Sequence, residues 1–98
     1  MKAVFFIGKE NYSDAKNKVY GDDVVGRQSL TIRDNISLGL EKEGYYLQIE
    51  GDNESIKVAE KLLSGIALKL KGKDADKVVK AIDEQEGNAA EGFGAIFG

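Results

Sequence analysis

A chain of 98 residues, 42% apolar and 32% charged, has the balance of one folded domain over 1–98, with material for a single core but not for two. It contains no cysteine and no histidine, which excludes disulfides, thiolate metal sites and the usual Ser–His or Cys–His catalytic pairs. Of the formal net charge of −3, residues 1–72 contribute nothing (11 Lys/Arg against 11 Asp/Glu), so the excess lies in residues 73–98, with 3 Lys and 6 Asp/Glu. A chain so charged lacks the footprint of a general nucleic-acid binder.

Ala3 to Ile7 is a continuous apolar run ending at Gly8, the pattern of an internal strand covered on both faces. It is far too short for a signal peptide or a span, which needs roughly 20 apolar residues, so the expected address is cytoplasmic. In the next stretch Ser13 can cap a short helix in which Ala15 and Val19 share a face and Gly21 stops it. Residues 21–26 then read as a loop. Three period-two runs follow: Leu30 and Ile32; Ile36, Leu38 and Leu40; Tyr45, Leu47 and Ile49. Asp34-Asn35 can supply the positive φ angles of a tight turn, and Glu41-Lys42-Glu43-Gly44 a longer one, which predicts a three-stranded antiparallel meander.

Asp52-Asn53 opens a helix with Ile56, Ala59 and Leu63 as its stripe and Gly65 as its stop. Ile66, Leu68 and Leu70 alternate with Ala67, Lys69 and Lys71, giving another strand. Asp74 caps a last helix whose Ala75, Val78, Val79 and Ile82 fall at i, i+3, i+4 and i+7. Asp83, Glu84 and Glu86 would crowd the negative end of its dipole if it stopped at Glu86. The apolar phase continues through Ala89 and Ala90, so the helix is expected to run past Gly87 to about Glu91.

The pairs Asp52/Glu54 and Asp74/Asp76 are explained by helix starts. Asp22-Asp23 could offer oxygen ligands to a cation, but turn chemistry explains the pair as well. Gly8-Lys9 lacks the rest of a phosphate-binding loop. No catalytic residue, metal or cofactor is therefore expected. Two binding surfaces stand out. The chain ends Gly92-Phe93-Gly94-Ala95-Ile96-Phe97-Gly98, and Phe93, Ile96 and Phe97 at 92–98 either complete the core or anchor a docking peptide in a partner's groove. Alternatively, an open sheet face could present Tyr46 and Gln48 beside Lys69 and Lys71, reached by Arg27 or Arg33, and grip single-stranded nucleic acid by stacking and charge. Glu50 on that face and the net charge weigh against nucleic acid.

The strand Tyr45–Gly51, the helix Ser55–Leu63 that follows it, and the Glu91–Gly98 terminus together resemble small uncharacterised archaeal proteins, some with a fold similar to the TATA-binding-protein domain. That resemblance covers the second half of the chain and implies a fold, not an activity. The expectation is an α+β domain. A mostly antiparallel sheet of about five strands is covered on one face by helices at 53–64 and 75–86. Its expected role is a non-enzymatic module that binds a protein partner or a second copy of itself, with a nucleic-acid-binding protein as the alternative.

Overall fold

The computed structural model describes the backbone of residues 1–35 and 43–91, and the side chains of 1–35 and 43–85. The chain runs β1 (Lys2–Ile7), α1 (Tyr12–Gly21), β2 (Ser29–Asp34), β3 (Tyr45–Glu50), α2 (Asn53–Leu62), β4 (Ala67–Lys69) and α3 (Gly72–Glu91). Single 3-10 turns occupy Lys9–Asn11 and Val25–Arg27. The α+β class expected from the sequence is what forms. The strands make one open sheet in the order β2-β3-β1-β4, every neighbouring pair antiparallel. A β–α–β–β–α–β alternation in that order is the split-βαβ connectivity of ferredoxin-like folds, here followed by a third helix.

The first strand lies at the centre, as its unbroken apolar run predicts. Phe5 stands opposite Leu47 on one side and Lys69 on the other. The hairpin differs from the expected meander. β2 pairs directly with β3, with Leu30 opposite Ile49 and Ile32 opposite Leu47. The Asn35 N–H continues the ladder by donating to the Gly44 carbonyl at 3.2 Å. No strand can then lie between them; the run at 36–40 falls outside the described residues, among which the sheet has four strands rather than about five. No non-glycine residue among those described has positive φ, so Asp34-Asn35 is not the left-handed turn it was expected to be. Gly44 does take a φ of +136°, as the longer turn required.

Alternation divides the sheet into two faces. On one, Ala3, Phe5, Ile7, Leu47 and Ile49 pack against Ala15 and Val19 of α1 and against Ile56, Ala59 and Leu63 at α2. Tyr12 at the start of α1 stacks on Tyr45, ring centroids 3.9 Å apart. On the other face, Val4 and Tyr46 pack against Val78 and Ile82 of α3. This corrects the expectation that the helices at 53–64 and 75–86 share a face. Four strands span about 19 Å, and each helix with its side chains is about 10 Å across. Two helices fill one face, and the third must take the opposite one.

The helix ends follow their sequences with small shifts. Asp52 caps α2, its Oδ1 accepting from the Ser55 N–H at 2.8 Å. Asn11 rather than Ser13 holds the N-cap position of α1. Asp74 sits inside the first turn of α3, near the positive end of its dipole, rather than at the cap. α3 runs through Gly87 to Glu91, as its apolar phase predicted.

Candidate functional site

The sheet face expected to be open is closed by α3. Tyr46 is 7% and Gln48 6% exposed, and Arg33 on the same face donates from Nε to Gln85 Oε1 of α3 at 2.7 Å. Its Nη1 donates to the Ile32 carbonyl at 3.1 Å. The Tyr46 ring meets Phe6 edge-on, with centroids 5.5 Å apart and planes at 60°. Burial, and then the Asp74 carboxylate, push the Tyr46 phenol above its ordinary value. Lys2, also on this face by alternation, lies 3.8 Å from Asp83 of α3. Gln48, between Val4 and Thr31, has no hydrogen-bond partner for its Oε1 among the described residues. A buried acceptor left so costs about 1–3 kcal/mol.

The other residues of the expected nucleic-acid surface lie elsewhere. Lys69 stands opposite Phe5, on the α1/α2 face, where its Nζ meets Glu60 Oε2 at 3.0 Å. Arg27 is exposed on the turn Val25–Arg27, which packs against α1 and α2. Lys71 is exposed between β4 and α3. Of the six residues only Arg33, Tyr46 and Gln48 come together, and they do so beneath a helix. Phe93, Ile96 and Phe97 lie outside the described residues.

The carboxylates expected to serve turns do so where their bonds are seen. Asp22 Oδ1 accepts from the Val24 and Val25 N–H groups at 2.8 and 2.9 Å, fixing the 3-10 turn that buries Val25. Among the described residues no group of three or more acidic side chains is placed to hold a metal ion. No helix among them is long and apolar enough to cross a membrane.

Two places were not anticipated. Leu68 shares the apolar side of its strand's alternation with Ile66 and Leu70, yet it is 58% exposed. β4 is only three residues long and lies at the sheet's edge, and Leu68, its middle residue, is left uncovered there. Beside it runs an open groove floored by Phe6, Ile66 and Ala67, with Glu10 and Asn11 at its polar side. The second place is Asn35, which is 1% exposed with neither amide atom hydrogen-bonded to any described residue. A hollow of about 130 Å³ nearby is lined by Lys9, Asp34, Asn35, Glu43, Gly44 and Tyr45. It is smaller than the roughly 300 Å³ at which ligand pockets begin and mixes both charges. No sequence signal distinguished Asn35 from an ordinary turn asparagine.

No known protein family, curated protein or solved structure matches this chain.

Proposed function

We propose that this protein is a small non-enzymatic interaction module of the cytoplasm, and that the β4 edge is its contact surface. Leu68 carries the proposal. A large apolar side chain exposed on a short outer strand, beside a groove with an apolar floor and a polar side, is a ready acceptor for an added strand or peptide. Backbone groups on the outer side of such a strand supply affinity, and the groove supplies selectivity. The terminal Phe93, Ile96 and Phe97 form the second contact element, large apolar side chains spaced by small residues, of the kind that anchors in a groove. A second copy of the chain is the first partner to test, because it brings both elements.

Sedimentation velocity over a range of concentrations tests this with the intact chain, Leu68→Lys and a chain lacking residues 92–98. The intact chain should self-associate, while both variants should sediment as monomers with unchanged circular dichroism. Identical sedimentation of all three would remove the β4 edge and the terminus as association surfaces.

A further inference from the structure

We infer that α3 is a displaceable acidic cover over a surface for single-stranded nucleic acid. The surface beneath it is formed by Phe6 of β1 and Tyr46 and Gln48 of β3, flanked by Arg33. The site shares Phe6 with the groove at the β4 edge but lies under α3, and it does not depend on association at that edge.

Four observations support the inference. First, Phe6 and Tyr46 sit side by side on the two central strands, on the face opposite α1 and α2. Adjacent aromatic rings on a four-stranded antiparallel sheet provide a stacking platform for unpaired bases. Second, the floor is not built to stay shut. Gln48 Oε1 finds no partner among the described residues under α3, although an apolar side chain there would need none. A side-chain amide can instead pair with the donors of an unstacked base. Third, one apolar stripe holds the cover: of the described side chains of α3, Val78 and Ile82 are buried, and Ala75 and Val79 pack beside them while still partly exposed. Fourth, the charges are partitioned between cover and floor. Residues 1–72 are neutral, and the chain's net −3 belongs to residues 73–98, most of which are α3. Docked α3 sets Asp83 against Lys2 and Gln85 against Arg33, so it occupies two cationic groups that a phosphate backbone would use. Lifting the helix uncovers the rings, the amide and both cations, and removes the repulsive field with the same motion. Glu50 stays on the floor, opposite Lys2 at its far end, which favours a short strand crossing near Tyr46.

The double variant Val78→Asp/Ile82→Asp in the full-length chain should release α3. Fluorescence anisotropy with labelled oligouridylate and oligothymidylate of about 12 nucleotides reads the result at low salt. If the closed form holds most of the population, release should tighten binding about tenfold or more. Adding Tyr46→Ala should reverse that gain, and a duplex of equal length should show none. A released variant that keeps its sheet by circular dichroism but binds neither single strand more tightly overturns the inference. Should the double variant fail to fold, amide exchange on the wild-type protein decides. Saturating oligonucleotide should deprotect the amides of α3 while α1 and α2 keep theirs. Unchanged protection at millimolar oligonucleotide would overturn the inference equally.

Discussion

Gly44 occupies a point where backbone geometry and packing make the same demand. Its φ is +136°, and a Cβ there would lie 2.7 Å from the Ile7 carbonyl oxygen and 2.8 Å from the Phe6 ring. Neither neighbour can retreat, because Ile7 is in the central strand and Phe6 packs in the second core cluster. Gly65 has φ +84° with open space around it, so a side chain there meets only conformational strain. Gly44→Ala should therefore cost at least about 2 kcal/mol and Gly65→Ala about 1, measured by urea unfolding. Asp52 supplies a pH-dependent contribution. The Ser55 N–H holds its carboxyl below the usual range, so the folded state prefers the ionised form. That stability is present above the unfolded value of 3.8 and is lost as pH falls through the lower folded value. Asp52→Asn, whose amide oxygen can still cap the helix, should flatten the fall of the urea midpoint below about pH 4.

At the scale of the element, α3 shows what the sequence disclosed and what it hid. Its length and its stripe of Ala75, Val78, Val79 and Ile82 were legible, because helical periodicity is a local property. Its destination was not. Tyr46 and Gln48 alternate with Leu47 and Ile49 and so look like the wet face of a strand, since glutamine is mostly exposed in folded proteins and tyrosine is intermediate. Only the number of helices competing for the other face reveals that they are covered. Leu68 erred in the opposite direction, because period two marks a strand's faces without saying which of them receives a helix. Ile82→Ala should remove about 2–5 kcal/mol, since the side chain is fully buried against Val4 and Tyr46. Leu68→Ala should change stability by no more than about 0.5 kcal/mol. Chemical denaturation of the two variants side by side separates a residue that holds the fold from one left for contact.

In the whole molecule, the strand order β2-β3-β1-β4 places the earliest strand between two later ones. The central position of Ala3–Ile7 was legible because both faces of that strand are apolar. The direct pairing of β2 with β3 was not, because Ile36, Leu38 and Leu40 offered an equally good local partner. That central placement bears on how the chain is made. Phe5 leaves the ribosome well before Leu47 and longer still before Lys69, its neighbours on either side. At 5–20 residues per second the nascent strand spends roughly two to eight seconds without its first cross-strand partner. For that interval the greasiest segment of the protein is unshielded, and its fate depends on the speed of translation and on chaperones rather than on the finished architecture.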